Sequence, residues 1–464
     1  MKENNNLNNI IKSLSNNQDD IIIRHTVYHN LNIIYYYLEE ITPIKIFNDF
    51  YLEKITNENF SNLSDYIPGI FVKLTDLSVS NITFILNRGN MILSINHYNY
   101  IVNIANIPKR IPSKSELDPT NLFDSLDGLI ENVYDNLSLI KKRIKSEDLI
   151  IKKYIIGSTT KTTTFLLYMK ESENKNYIKE IKNKLEKTTI NTLLNINDLN
   201  SIFNTSNFLP LTFNTGSPDY IASSLLEGRA VIIMDNTPLS LILPTTLSLF
   251  TTIKNETNQV KYYTIINRIF NIMFFFLSLF LIPIFIALTN FNPSFFSTLF
   301  MANFQLTERG TTFPLFLESI IILFIFEFYR HTTSRSPTNY VQNIVIIFGG
   351  LFIGQNAINS GLVGAGILLL TSISYLSSFG ITNNPILITS FNIFRLYNII
   401  LSYLMGLIGF TIGLITTITY LSSKKSVGIP FLSPFIPFDK IKAKEFFASS
   451  HGERKWKKVK KLYM

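Results

Sequence analysis

The chain has 464 residues, which is enough for two or three units with separate cores, and its lack of cysteine excludes disulfides, thiolate metal sites and cysteine nucleophiles. Residues 1–225 are rich in Asn, Lys, Asp, Glu and Ser, whereas residues 264–421 are rich in Phe, Ile and Leu. The net charge of +9 is concentrated in the tail, where eleven Lys or Arg residues and three acidic residues follow Ser423.

The two ends of the chain predict its placement relative to a membrane. The first residues contain no apolar stretch of the kind found in a signal peptide, so we expect the N-terminal half to remain in the cytoplasm. The basic tail directly follows an apolar segment, and such tails lie on the cytoplasmic side near anionic lipids. Because of this position, a membrane partner is favoured over a nucleic acid.

Residues 1–110 are expected to form a first small subdomain with mixed helices and strands. Within it, residues 82–95 (ITFILNRGNMILSI) predict two short strands around an Asn-Arg-Gly-Asn turn. The proline-containing stretch 106–121 is typical of a linker.

Residues 111–225 predict a second, α/β subdomain. Apolar residues recur every three or four positions in residues 122–145, which predicts a helix whose last turn is basic. Two strands at 148–157 and 161–169 and a charged helix near 175–188 follow. We expect residues 226–262 to form a separate hairpin and connector, with strands at 230–234 and 239–243.

Residues 263–422 predict a helical membrane domain of about four spans, followed by a cytoplasmic tail at 423–464. The segments 269–288, 313–329 and 398–421 are apolar enough to cross a bilayer, and 341–379 is broken near its glycines into two pieces. Basic residues on the expected inner side favour an even number of crossings, so one of the two pieces is expected to be re-entrant. The predicted fold class is an α+β cytoplasmic region of two subdomains followed by a polytopic helical domain.

Two carboxylates interrupt the second predicted span. Glu318 and Glu327 are nine residues apart and face opposite sides of a helix, so they do not form one paired site. Glu327 has ion-pair spacing to Arg330 and His331. Glu318 lies deeper, and it is equally suited to a pore lining, an interhelical contact or a structural role.

A glycine-rich segment around Gly354 has two interpretations. The favoured interpretation is close packing of helices, which small residues allow. In the other interpretation, Gln355 bonds an ion or a substrate where the backbone is unwound. Arg395 is expected to extend to the membrane interface just before the last span. No catalytic motif is present, so neither an enzyme nor a cofactor is predicted, and a secondary transporter is disfavoured by the lack of inverted repeats.

Four ordered blocks resemble the A subunit of the GerA-type spore germinant receptors. The first block is 136–146 (NLSLIKKRIKS) with 154–162 (YIIGSTTKT), and the second is 218–244, which contains LLEGR at 225–229 and MDNTP at 234–238. The third block runs from Arg309 to Val363 and includes Glu318, Glu327, Arg330, Arg335 and Gln355. The fourth is 430–437 (PFLSPFIP). Asn236 stands where the family usually has glycine.

The resemblance implies a subunit of a nutrient receptor in the spore inner membrane, multi-pass with both termini cytoplasmic. It implies a transporter-like B subunit and a lipoprotein C subunit as partners, self-assembly, and a possible ion channel that releases ions on germination. The family-like polar positions are Glu318, Glu327, Arg330, Arg335 and Gln355, as candidates for a pore or for coupling. The related A-like accessory protein linked to dipicolinic acid release remains an alternative.

Overall fold

The computed structural model describes five stretches of the chain, at 20–104, 127–251, 261–299, 311–334 and 357–438, and residues 7, 10, 11, 14 and 446. Within these stretches it leaves out 30, 39–41, 43, 56–59, 61, 67–68, 88, 97, 174, 205–207, 312 and 383. The chain divides into two compact units. The N-terminal unit comprises 1–205, 211–245 and 426–429, and the helical unit comprises 206–210, 246–425 and 430–464.

The first subdomain of the N-terminal unit is a five-stranded antiparallel sheet with short helices. Its strands, in the order β1-β2-β4-β5-β3, are β1 Ile21–Tyr28, β2 Leu31–Leu38, β3 Phe71–Lys73, β4 Met91–Ile95 and β5 Tyr98–Val102. Its helices are α1 Ile44–Phe50, α2 Leu63–Tyr66 and α3 Val79–Asn87. The predicted hairpin at 82–95 is therefore wrong in its first half, because Ile82, Ile85 and Leu86 form the buried face of a helix.

The second subdomain is also built on a five-stranded antiparallel sheet, ordered β6-β7-β9-β10-β8. Its strands are β6 Leu149–Ile156, β7 Thr162–Met169, β8 Phe213–Thr215, β9 Ala230–Met234 and β10 Ser240–Leu243. Its helices are α4 Val133–Arg143, α5 Asn176–Lys187, α6 Ile196–Phe203 and α7 Pro218–Leu226. The hairpin expected at 226–262 as a separate connector is instead part of this sheet, since β9 pairs with β7.

The turn between β9 and β10 explains the departure at Asn236. This residue has φ 65°, in the left-handed region where glycine is unstrained and asparagine is the next best tolerated residue. The preceding Asp235 accepts a hydrogen bond from the N–H of Val133, at the start of α4. The turn thus positions a helix as well as joining two strands.

Five α-helices of the helical unit are described from end to end. They are α8 Leu247–Thr251, α9 Lys261–Phe291, α10 Leu315–Ser334, α11 Ala365–Ile381 and α12 Pro385–Ser423, and a short strand pair follows at β11 Lys425–Ser426 and β12 Ile429–Pro430. The segments Thr264–Phe291 and Pro385–Ser423 are long and apolar enough to cross a membrane. The predicted piece at 341–356 lies outside the described residues.

Helix α12 is a hairpin of two helical arms rather than one long helix. At Gly406 the backbone leaves helical geometry (φ 58°, ψ −136°). The hydroxyls of Tyr397 and Thr416 lie 3.2 Å apart, although 19 intervening steps of a straight helix would separate them by about 28 Å. The single span predicted at 398–421 is therefore wrong: arms at 385–405 and 407–423 fold back on each other, and the two ends of α12 lie close together.

The core of the helical unit joins four helices. Ile282 and Ile286 of α9 meet Leu323 of α10, Tyr375 of α11 and Ile399 of α12 in one buried apolar cluster. Phe280 also packs edge-on against Phe410, so the second arm of α12 contacts α9 as well. Polar groups inside this bundle are thus shielded from water by apolar side chains on several helices.

Candidate functional site

The most buried charge in the described part of the helical unit is Arg395, in the first arm of α12. Its side chain is completely buried, and Nε donates a hydrogen bond of 2.5 Å to the carbonyl of Ser278 in α9. Nη2 donates to the carbonyl of Ser374 (3.0 Å) and the hydroxyl of Ser378 (2.7 Å), both in α11. Nη1 donates to Oδ1 of Asn392 at 2.7 Å.

All four of these acceptors are neutral. Removing a guanidinium from water is costly, and a buried ion is normally compensated by a carboxylate that contacts it directly. Here the compensation comes from two backbone carbonyls, one hydroxyl and one amide. Within apolar helices, an ionisable group held in this way is a marker of a functional position.

An amide links this arginine to a carboxylate. Asn392 uses its Nδ2 to donate to Oε2 of Glu327 at 2.7 Å, while its Oδ1 accepts from Arg395. Glu327 in turn forms an ion pair with Arg330, whose Nη2 also donates to the hydroxyl of Thr389 at 2.8 Å. We call the group Arg330, Glu327, Asn392 and Arg395 the charge relay.

The charge relay links all four long helices of the described bundle. Glu327 and Arg330 belong to α10, Asn392 and Arg395 to α12, and the acceptors of Arg395 to α9 and α11. Tyr375 of α11 adds a hydrogen bond of 3.4 Å from its hydroxyl to Glu327. A displacement of any of these helices must therefore rearrange hydrogen bonds to a buried charge.

Glu318 lies elsewhere and has a different role. Its side chain is 1% exposed, and Oε2 accepts a hydrogen bond of 2.9 Å from the N–H of Gly364, the residue that precedes α11. A carboxylate at this place satisfies an unpaired N–H and interacts favourably with the helix dipole. The two glutamates of α10 therefore occupy separate environments, as their nine-residue spacing predicts.

The structure brings only some of the site residues predicted from the sequence into one place. Glu327 and Arg330 lie in the charge relay and Glu318 at the start of α11, whereas Arg335 and Gln355 lie outside the described residues. Arg395 does not extend to an interface as expected, because α12 begins at Pro385 and carries the guanidinium into the bundle. Asn392 was not singled out from the sequence, although a polar residue three positions before a buried arginine on a helix is a recognisable signal.

A second buried cation lies in the N-terminal unit, within the basic block at 136–146. Lys141 is completely buried, and its Nζ lies 2.5 Å from Oδ2 of Asp20, which is buried as well. The contact joins α4 of the second subdomain to the residue that precedes β1 of the first. It is therefore an internal link between the two sheets of this unit.

Arg143, two residues further on, holds a different connection. It forms ion pairs with Asp219 in the first turn of α7 and with Asp127. Burial acts to lower the pKa of Arg143, but hydrogen bonds and the charges of these two carboxylates outweigh burial and raise the pKa above its ordinary value. The basic block thus serves the packing of this unit at two of its positions.

Comparisons with known proteins identify the family. The model of the Bacillus/Clostridium GerA spore germination protein family matches residues 8–460. Spore germination protein XA of Bacillus anthracis is 29% identical over 78% of this chain and 73% of its own length. Spore germination protein KA of Bacillus subtilis is 30% identical over 67% of this chain and 57% of its own length.

A solved structure is also similar in sequence. It is the crystal structure of the N-terminal domain of the A subunit of the Bacillus megaterium spore germinant receptor GerK3. The identity is 25%, the TM-score is 0.39, and the match covers 51% of this chain and 92% of that one. With a family match over nearly its whole length, the chain belongs to the GerA family of spore germination proteins.

Proposed function

We propose that the protein is the A subunit of a nutrient germinant receptor in the spore inner membrane, where it couples nutrient sensing to ion release. Membership of the GerA family supports the role in germination. The observation that carries the coupling proposal is the charge relay, because it ties four helices to one buried guanidinium held by neutral acceptors. A displacement of any of these helices would break a hydrogen bond to this guanidinium, which suits an element with two states.

The membrane location rests on the apolar helices and on charge. Helix α9 is long and apolar enough to cross a bilayer, both arms of the α12 hairpin are apolar, and large apolar side chains such as Phe276, Leu404 and Ile415 are exposed on their surfaces. Arg330 bonds Thr389, so the basic end of α10 lies beside the start of α12. Because α12 is a hairpin, its start and its last residues, from which the chain continues into the basic tail, lie at one end, and we assign that end to the cytoplasm in a multi-pass arrangement.

The proposed partners and assembly follow from the receptor role. The chain is expected to act with a transporter-like B subunit and a lipoprotein C subunit, and to self-assemble into an ion channel. Conductance across planar bilayers, measured with the purified chain alone, tests the channel. Currents that require the chain and disappear in a variant that cannot assemble support it, and the absence of any current contradicts it.

Deletion of the gene tests the receptor role. Spores without it are expected to lose the response to one class of nutrient in a panel of amino acids, sugars and nucleosides, and to keep the others. Unchanged responses to the whole panel contradict the proposal. Unchanged nutrient-triggered release of monovalent ions together with lost release of dipicolinic acid identifies the accessory role instead.

A further inference from the structure

A narrow apolar cleft lies between the two arms of α12. It has a volume of about 280 Å³, and its walls include Phe394 and Tyr397 from the first arm, Thr416 and Tyr420 from the second, and Phe208. The rings of Phe394 and Tyr420 are 5.4 Å apart, so the cleft is bounded where the arms meet. Its volume lies just below the range of sites for drug-sized ligands, which suits a slender occupant better than a bulky one.

The polar atoms of the walls are already engaged. The hydroxyl of Thr416 bonds the carbonyl of Ile412 at 2.8 Å and lies 3.2 Å from the Tyr397 hydroxyl. Thr417 donates to Oδ1 of Asn398 at 3.3 Å. The walls therefore present rings and methyl groups to the interior, so an occupant is recognised by apolar contact.

One end of the cleft is cationic. The ammonium of Lys424 lies 4.9 Å from the centre of the Tyr420 ring, and Lys425 follows it at the end of α12. At this end the chain enters its basic tail. An occupant with an apolar chain and an anionic head matches both parts, since lysines that flank a membrane helix attract anionic lipids.

We propose that this cleft binds an anionic phospholipid, with one acyl chain between the arms of α12 and the phosphate at Lys424 and Lys425. The side of the cleft is open, because Tyr397 is 42% exposed and Phe208 is 50% exposed, so a lipid can enter laterally. The hydroxyl of Ser390 bonds the carbonyl of Phe208, which fixes this wall to the first arm. The bound lipid thus contacts the same arm that carries Arg395. The inference rests on the proposed membrane location and is independent of receptor activity.

Photo-crosslinking in vesicles tests this inference. The full chain is reconstituted in phosphatidylcholine vesicles that contain either a phosphatidylglycerol or a phosphatidylcholine probe with a diazirine in the acyl chain. Crosslinks are expected at Phe394 or Tyr420 and to be stronger with the anionic probe. Thr416→Trp fills the cleft and is expected to lower these crosslinks about fivefold, because the indole excludes the chain sterically.

Two further variants make the test decisive. Ile415→Trp adds the same ring to the exposed side of the same arm (Ile415 is 61% exposed) and is expected to leave crosslinking unchanged. Lys424→Gln with Lys425→Gln is expected to remove the preference for the anionic probe. Equal crosslinking in Thr416→Trp and Ile415→Trp overturns the proposal, as does a wild type without preference for the anionic probe.

The membrane location is checked separately by alkaline extraction of spore or cell membranes. A chain that stays in the membrane but shows no crosslinks in the cleft overturns the lipid site alone. A chain that alkali extracts overturns both the lipid site and the proposed location.

Discussion

Two completely buried cations, one in each unit, are held in opposite ways. Lys141 of the N-terminal unit contacts the Asp20 carboxylate directly at 2.5 Å. Arg395 of the helical unit contacts only neutral oxygens, and its nearest carboxylate in the relay, Glu327, is reached through Asn392. A direct pair is a fixed link, since separating its members leaves two uncompensated charges. A charge spread over several dipoles can exchange one acceptor for another at lower cost.

The two cations therefore hold different parts of the fold together. Lys141 forms a direct ion pair between the two subdomains of the N-terminal unit, whereas Arg395 lies where four helices of the helical unit meet. Substitutions at each cation and in its surroundings test this difference.

Lys141→Met is expected to be the most damaging substitution. It leaves Asp20 buried without its partner, and breaking a buried pair in this way costs about 3–5 kcal/mol. Thermal unfolding of the full chain in detergent measures the loss. Lys142→Met, at the exposed neighbouring position, is the control and should change stability by no more than about 0.5 kcal/mol. Equal stabilities for the two variants would show that the Lys141 pair is not a structural joint.

Arg395→Met is expected to cost less, about 1–3 kcal/mol, because it leaves neutral acceptors unsatisfied rather than an unpaired charge. The same unfolding measurement compares it with Lys141→Met. Arg395→Lys keeps the charge but loses the planar fork that reaches three helices, and it should lie between Arg395→Met and the wild type. A loss larger than that of Lys141→Met contradicts the distinction between the two cations.

Glu318 offers a test of capping against a pore role. Glu318→Ala removes the acceptor of the Gly364 N–H and is expected to cost about 1–2 kcal/mol. Glu318→Gln keeps an acceptor oxygen and should recover most of the stability and of the ion release in germinating spores. Recovery of stability without recovery of ion release means that the negative charge itself is needed, which favours the pore role. Unchanged ion release in Glu318→Ala rules out that role.

The smallest perturbation tests the hairpin that positions Arg395. Because the chain has no cysteine, Tyr397→Cys with Thr416→Cys gives a clean pair, and a short bifunctional thiol reagent should join the two residues with little change in stability. Tyr397→Cys with Ile408→Cys is the control and should not be joined by the same reagent. Failure of the first pair to crosslink would mean that α12 does not fold back at Gly406.

Local sequence patterns predict the elements that depend on local interactions. Hydropathy and length locate α9 and α10 correctly, and the Asp-Asn-Thr-Pro turn locates β9 and β10. The helix α3 was missed because its β-branched and aromatic residues suggest a strand, although the spacing of Ile82, Ile85 and Leu86 is helical and could have identified it.

The candidate site depends on contacts between residues far apart in the chain. The N–H group that donates to Glu318 is 46 residues away, and Arg395 donates to a carbonyl 117 residues away, so neither role can be inferred from sequence neighbours. The fold-back at Gly406 is equally hidden, since Gly409 and Gly413 occur in the same apolar run. A Cβ would meet a close neighbour at all three glycines, and the backbone distinguishes them: of the three, only Gly406 has a φ in the left-handed region, at 58°.

Nutrient-triggered ion release from spores that carry Arg395→Met or Arg395→Lys tests the central claim most directly. Arg395→Met is expected to slow release by about fivefold or more at wild-type membrane abundance, since a coupling of about 1–3 kcal/mol is lost, and Arg395→Lys is expected to restore part of it. Release at the wild-type rate in spores with normal amounts of the Arg395→Met protein would contradict the role of the charge relay in coupling.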